Sequence, residues 1–492
     1  MEKIISRYSI LVVLTLGAFL YALSFAAYYN EWLHWIALAV LIGGTIWLSW
    51  KNLWYGLLVI AAELILGSLA GGLFAVSVGG VFLGARKVIW LLILIIWLIK
   101  GIKKKNLIPT ALKTSPLKWG IAALLLSLVI GAVVAVVNGV PLSVLYHDSN
   151  AYWFYLLLLP ILWSLENEPI DNVKKEELLY YFSTQAIVVV IFLTLVILAV
   201  FTHLEGYTEQ MYSWFRDFRI GEVGRLGGTS FYRVFIQSQI LLLPALFISL
   251  AMALKKYWTR NWFWFLALVW AVLITSLSRS FAVGIIGAGV LFVIWVFVSK
   301  DSGQKISRLA KRGLASVFVG LIILAMITTL GLDVLGILGV RSSFNTEEPA
   351  LRSRWDLWPA MTAEIKKSPL VGYGFGKEII YKSSDPRLIE QGIEEYTTYS
   401  FEWGYLDIVL KMGFAGLLLM LFFYGQVLWH GWKWSTGNAY RIGWWFGLVA
   451  LFVTHFFTPY LNHPLGIGMI VFFVGFVMLQ KKRLLNSSFL SI

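Results

Sequence analysis

Apolar runs of about twenty residues, separated by short polar breaks, fill most of the chain. That is the length at which a helix crosses the hydrocarbon core of a bilayer. Fourteen such runs stand out, at roughly 8–26, 32–49, 54–73, 86–102, 118–139, 151–165, 179–202, 234–254, 261–277, 281–299, 314–335, 404–428, 440–459 and 464–480. Run 151–165 is short enough to be tilted or partly re-entrant, and the glycine-rich stretch from Gly71 to Gly84 reads as a re-entrant turn rather than a plain loop. The first run is too long for a signal-peptide core, lacks a small-residue cleavage site and is expected to stay as the first helix. The pattern predicts an all-α polytopic membrane protein of about 12–14 transmembrane helices, one integral-membrane domain over residues 1–492.

Composition agrees. Of 492 residues 59% are hydrophobic and 13% charged, and the mean hydropathy is +0.78. These figures exclude a soluble globular protein, a disordered tail and a coiled coil. There is no cysteine, hence no disulfide framework and no thiolate metal site. The 24 Trp and 22 Tyr suit aromatic belts at the membrane interfaces.

A net charge of +14 could suggest nucleic acid, but its distribution points elsewhere. With the N-terminus inside and the runs alternating, the inner loops and tails hold most of the Lys and Arg and few of the Asp and Glu. The inner blocks are Lys103-Lys104-Lys105, Lys255-Lys256, the stretch from Lys300 to Arg312, and Lys481-Lys482-Arg483. The charge is thus a topology signal, with both termini cytoplasmic, and its partner is anionic lipid rather than nucleic acid.

Two segments on the expected outer side exceed ordinary connections: 203–233 and the much longer 336–403. Within the second, Ser353 to Lys367 reads as a helix with Trp355, Trp358, Ala360, Met361 and Ile365 on one face. Pro369 and the spaced glycines Gly372, Gly374 and Gly376 end it in a tight turn.

No Walker A sequence, HExxH, DxD spacing or histidine ligand spacing is present, so no metal or cofactor is expected. The candidate chemistry lies in outer arginines, which match phosphate oxygens as a bidentate fork. Arg225 sits in GRLGGTSFYR, and Arg279 in TSLSRS between two apolar runs, where an arginine is costly and points to function. Arg352 and Arg354 open the loop helix; Arg216, Arg219, Arg233 and Arg341 are further candidates. The alternatives are snorkelling for Arg279 and plain solvation for the loop arginines. Glu402, where the long loop meets the next run, is read as a partly buried carboxylate able to act as general base, or as an acid facing the helix dipole. Asp407 and Lys411 are spaced to pair. Glu63 is read as holding a backbone or hydroxyl partner, with a proton path in a transporter as the alternative; His147-Asp148, His455 and His463 are weak candidates for a site.

These motifs resemble the O-antigen ligase and O-antigen polymerase superfamily. TSLSRSFAVGIIGAG is similar to its Ser-Arg helix hairpin, and SRWDLWPAMTAEIKKSPLVGYGFG to its Arg-x3-Trp helix and glycine turn. SFEWGYLDIVLKMGFAGLLLM resembles the segment that follows, and GRLGGTSFYR the Arg-x-x-Gly stretch of the earlier loop, all in order over roughly residues 220–420. The resemblance implies a metal-independent, GT-C-like glycosyltransferase in the bacterial cell (cytoplasmic) membrane, acting at the outer leaflet on undecaprenyl-pyrophosphate-linked glycan. Its partners are then the lipid-linked donor, a glycan acceptor and, in some systems, other polysaccharide assembly proteins. It further implies that Arg225 and Arg279 hold the donor pyrophosphate. Arg219, Arg233, Arg341, Arg352 and Tyr405 are this sequence's own candidates for further substrate contacts. Arg354 and Trp358 then belong to the loop helix that roofs the site. Where the ligases carry a histidine before Tyr-Leu, this chain has Glu402 before Tyr405-Leu406. That departure favours a polymerase over a ligase. A transporter of a lipid-linked glycan, with charges in a central cavity and internal symmetry, is a third reading.

Overall fold

The computed structural model describes residues 7–68, 72–78, 81–204, 206, 208–226, 229–256, 258–328, 349–383, 389, 392–393 and 395–488. The protein is mostly helical and polytopic. Among the described residues, seven helices are long and apolar enough to cross a membrane: Ile10–Tyr29, Glu31–Lys51, Lys118–Val137, Asn172–His203, Arg279–Val298, Ser302–Ile327 and Gly404–Ser435. Four shorter apolar helices, Leu53–Leu66, Gln237–Ala253, Arg260–Ser276 and Pro464–Leu479, fall on four more of the apolar runs. The other three runs lie on Ala85–Lys103, on a 3-10 turn Asn150–Leu157 leading into Leu158–Asn167, and on Ala439–His455. Polar residues set the breaks. Asn52 ends one helix and caps the next through Trp54 N–H at 2.9 Å. Asp171 caps the long helix Asn172–His203 through Val173 N–H at 2.8 Å.

The all-α expectation needs one addition, three short antiparallel hairpins among the described residues: Ala75–Val78 with Val81–Gly84, Gly221–Arg225 with Tyr232–Ile236, and Ile379–Lys382 with Glu395–Thr398. The described part of the Gly71–Gly84 stretch is the first of these, with Ala75 opposite Gly84.

The chain groups into two compact units. The first draws on Met1–Thr110, Leu157–Arg341 and Ser435–Ala450. Its helices approach through small residues. Gly443 and Gly447 lie one turn apart and pack on the backbone of Ile248 and Pro244, where a side chain would overlap. Two buried carboxylates of this unit, Glu63 and Glu176, are held by arginines. Glu63 accepts from Arg86 at 2.7 Å with both side chains buried, so its partner is a cation rather than the backbone or hydroxyl group expected. Arg441 grips Glu176 through two nitrogens at 2.7 and 2.6 Å.

The second unit draws on Ala111–Leu156, Ser342–Trp434 and Leu451–Ile492. Its central feature is a break in the helix Gly404–Ser435 at Gly413, whose φ is 67°. Such a conformation favours glycine. Two helical hydrogen bonds are given up there, and the glycine turn replaces them with four. Tyr373 N–H donates to Leu410 C=O at 2.9 Å and Gly374 N–H to Lys411 C=O at 2.8 Å. Phe414 N–H donates to Pro369 C=O at 2.8 Å and Ala415 N–H to Leu370 C=O at 3.1 Å. On its other side the turn meets the helix Lys118–Val137, where Phe375 N–H donates to Gly131 C=O at 3.1 Å. Buried backbone polar groups must find partners, and here the turn supplies them.

The expected loop helix is Pro349–Lys367. Its buried stripe is Leu357, Met361 and Ile365, packed with Ile379, Phe401, Trp403, Val409 and Leu410. Trp355, expected on that face, is instead 52% exposed. The stripe repeats every four residues from Leu357, and Trp355 lies two residues before it, across the helix.

Candidate active site

The arginines of the first unit sit on one hairpin and one helix junction. Trp214 and Phe215 bury the end of the helix Thr208–Asp217. Asp217 then accepts from Tyr28 Oη at 2.6 Å and Arg216 Nε at 2.9 Å, and these bonds hold its carboxyl below the ordinary range. Arg216 is thereby tied to its neighbour. Arg219 takes a left-handed φ of 51° with its side chain exposed, so it shapes the turn into the hairpin.

Arg225 ends the first strand opposite Tyr232, and Arg233 lies opposite Gly224. Strand alternation therefore puts the two arginines on opposite faces of the ribbon. Arg225 is exposed, and its Nε braces the hairpin tip by donating to Thr229 C=O at 2.9 Å. Arg233 donates from Nε to Ser276 C=O at 2.9 Å and lies 3.8 Å from Glu222. Ser276 is the last residue of the helix Arg260–Ser276. Leu277 follows in the left-handed region at φ 46°, and Ser278 caps the next helix, accepting from Phe281 N–H at 3.5 Å. Arg279 is the first residue of that helix and is partly buried. Arg233 is thus anchored three residues before Arg279. Phe235 and Phe281 pack 5.7 Å apart and fix the same junction. A helix N-terminus that carries one arginine, with a second bonded to the carbonyl three residues before it, is a favourable setting for an anion.

In the second unit the loop helix brings Arg354 onto Glu402 as an ion pair. Trp403 Nε1 donates to Arg354 C=O at 3.0 Å. Trp358 is edge-on to Trp403 at 4.6 Å. Glu402 is exposed rather than partly buried, because the chain before the helix alternates: Phe401 and Trp403 turn into the core and Glu402 turns out. Tyr405 is committed to structure. Its hydroxyl donates to Phe452 C=O at 3.0 Å and its ring stands edge-on to His455 at 4.7 Å. His455 is buried, with Nδ1 accepting from Leu461 N–H at 3.2 Å, and His463 accepts from Leu465 N–H at 3.3 Å. Arg341 lies outside the described residues, as does the side chain of Arg352.

One charged group was only half visible in the sequence. Lys411 pairs with Asp407 at 2.6 Å as its spacing implies, and also with Asp148 at 2.6 Å. All three are buried in their unit. Asp148 uses its second oxygen to accept from Gly376 N–H at 2.6 Å, so the cluster also holds the glycine turn. Asn462 donates to Asp407 at 2.7 Å. The signals available were the Asp407–Lys411 spacing and the His147-Asp148 pair. Among the described residues, no group of three His, Cys, Asp or Glu has the geometry of a metal site.

No curated protein matches the chain. The O-antigen ligase family model does, over residues 263–421, which include the Arg279 junction, the loop helix, the glycine turn and the broken helix. That match bears out the resemblance: this membrane protein carries an O-antigen ligase domain, of the ligase and polymerase family that acts on lipid-linked glycans in polysaccharide biosynthesis.

Proposed function

We propose that the protein polymerises a bacterial surface polysaccharide at the outer leaflet of the cytoplasmic membrane. A glycan on undecaprenyl pyrophosphate is the donor, and a sugar hydroxyl of another lipid-linked unit is the acceptor. The observation that carries this reading is Arg233 anchored on Ser276, three residues before Arg279 at a helix N-terminus, beside a segment that matches a family of lipid-linked glycan enzymes. The lysine and arginine blocks support an orientation with both termini inside and the hairpin and long loop outside.

In the proposed reaction the acceptor oxygen bonds to the donor's anomeric carbon. The bond from that carbon to the pyrophosphate oxygen breaks, and its electron pair leaves with the pyrophosphate. Arg279 offsets the charge that builds there, with Arg233 supporting the junction, and Arg225, on the other face of the hairpin, contacts the donor from that side. The acceptor proton passes to Glu402, whose Oε2 is held by Arg354, so Oε1 is the oxygen assigned to take it. The leaving group is already good, and positioning and charge supply most of the acceleration.

A second reading, transfer of finished glycan to a lipid, protein or wall-polymer acceptor, is favoured by the description of the matching family as a ligase. Chain lengths of undecaprenyl-linked glycans, measured by mass spectrometry with and without the gene, separate the two. Single repeat units in the deletion strain are expected. Long chains accumulating on the lipid would establish the ligase reading instead. An unchanged profile in cells shown to express the gene would remove both and bring a transporter forward.

A further inference from the structure

Beside the Arg354–Glu402 pair lies a surface with no role so far. Trp355 is 52% exposed and rests on Trp403 and Trp358, with ring centroids 5.5 and 6.1 Å away. Those two rings fix its orientation. Asp356 follows it on the loop helix. Tyr381, on the strand Ile379–Lys382, is within electrostatic reach of both Glu402 and Asp356; burial raises its phenol's pKa, and the two carboxylates add to the rise. Tyr396 stands edge-on to Tyr381 at 6.1 Å across the hairpin.

A held, exposed indole has two obvious partners, a lipid headgroup region or a sugar ring. The neighbouring ion pair decides between them. Trp355 follows Arg354, which holds Glu402, the carboxylate assigned above to the acceptor hydroxyl. Glu402 and Asp356 are strong acceptors for hydroxyl hydrogens. A pyranose offers both complements, an apolar face of polarised C–H bonds for the electron-rich indole face and equatorial hydroxyls at its rim. We propose that Trp355, with Asp356 next to it on the loop helix, is the platform that binds a neutral pyranose ring of the acceptor glycan. The Asp356 carboxylate disfavours a uronic acid there. The proposal rests on the reading above that the acceptor is a glycan, and it adds which residues select it and its charge class.

The test is saturation-transfer-difference NMR on the full-length protein in lipid nanodiscs, free of glycoside detergents. The probe is the oligosaccharide released by mild acid from the cells' own undecaprenyl-linked glycan. Saturation of ring C–H protons is expected with the wild type and with Trp355→Phe. Trp355→Ala should weaken binding about tenfold, and Asp356→Asn should weaken it less. Trp32→Ala removes an equally exposed tryptophan elsewhere, and should change nothing. Oxidising the probe's primary hydroxyls to carboxylates should abolish the signal. Equal signals from wild type and Trp355→Ala, or no signal from a wild type that transfers glycan, overturn the platform. Binding needs no turnover. A protein that binds the glycan through Trp355 yet leaves the cells' chain lengths unchanged on deletion overturns the polymerase reading and leaves the platform standing.

Discussion

Gly374 donates its backbone N–H to the carbonyl of Lys411 at 2.8 Å, so a loop turn completes the hydrogen bonding of a helix broken at Gly413. The φ of 86° at Gly374 and its contact with the backbone of Ala135 explain why glycine stands there. A methyl group would meet both a disfavoured backbone region and atoms of a neighbouring helix that cannot move cheaply.

Gly374→Ala should therefore cost about 2 kcal/mol or more, combining left-handed strain with overpacking. Gly437→Ala tests the conformational part alone, since φ is again 86° but open space surrounds the site. Thermal unfolding followed by size-exclusion chromatography should show a much larger loss for Gly374→Ala. Equal losses would mean that the close approach to Ala135 contributes nothing.

The Lys411 ammonium lies between Asp148 and Asp407, at 2.6 Å from each. Removing the cation leaves two buried carboxylates without it. Lys411→Met should cost about 3–5 kcal/mol, the usual penalty for breaking a buried ion pair. Lys411→Arg, which keeps the charge, should lose less. The same unfolding measurement checks this, and a Lys411→Met protein as stable as the wild type would contradict it.

Glu364 contacts Lys367 at 2.5 Å and Lys377 at 3.1 Å, joining the loop helix to the chain beyond the glycine turn. The hydrogen bond from Lys367 is the main cause that holds its carboxyl below the usual value of 4.5; Lys377 adds to it. The folded pKa is thus depressed. The contribution is present above the unfolded carboxylate pKa and is lost as pH falls through the folded one. The groups are near the surface, so a few tenths of a kcal/mol is the expected size. Amide protection factors over residues 364–377, which correct exchange for its intrinsic fall with acid, should drop on acidification in the wild type. In Glu364→Gln they should already be lower at neutral pH and change less with acid.

Helices and the loop's glycine turn were legible because each is local. Twenty apolar residues declare a span, and Pro369 with three spaced glycines declares a turn. What the turn does was not legible, because its partners at Leu410 and Lys411 are distant in sequence. Asp148 was out of reach for the same reason: it meets Lys411 across 263 positions. Trp355 was misplaced because a helix face about 100° wide admits more than one stripe, and tertiary packing chose Leu357, Met361 and Ile365. The apolar neighbours of Glu402 imply partial burial, yet those neighbours alternate with it, and alternation sends the middle residue out.

Arg279 begins a helix beside the carbonyl that Arg233 holds. In the proposed role it faces the leaving pyrophosphate, and its loss should lower transfer about a hundredfold, on the order of 3 kcal/mol, as for a lost oxyanion donor. Arg279→Lys keeps the charge but loses the fork, and should recover part of the rate. Arg233→Ala should act differently, through the junction, lowering thermal stability together with activity. Polymer output from correctly inserted Arg279→Ala protein is the measurement. A near-normal yield would remove Arg279 from the donor site.

Glu402 tests the proposed chemistry most directly, because the pairing with Arg354 gives it two possible roles. A general base loses about 10²–10⁴-fold when replaced by its amide, while a simple anchor for Arg354 loses little. Glu402→Gln should therefore lower the transfer rate at least a hundredfold with unchanged thermal stability, since an exposed ion pair contributes at most about 1 kcal/mol. Glu402→His, the residue the ligases carry at this position, should restore a proton acceptor and part of the rate. That partial rate should fall away below about pH 6.5 as the imidazole takes a proton. Arg354→Ala separates the roles further. It frees Glu402 from its tether, so a base should lose orientation and only part of its rate, whereas a mere anchor makes Arg354→Ala and Glu402→Gln equivalent. Equal small effects from both variants would assign the pair to the loop's architecture and move the search for a base elsewhere.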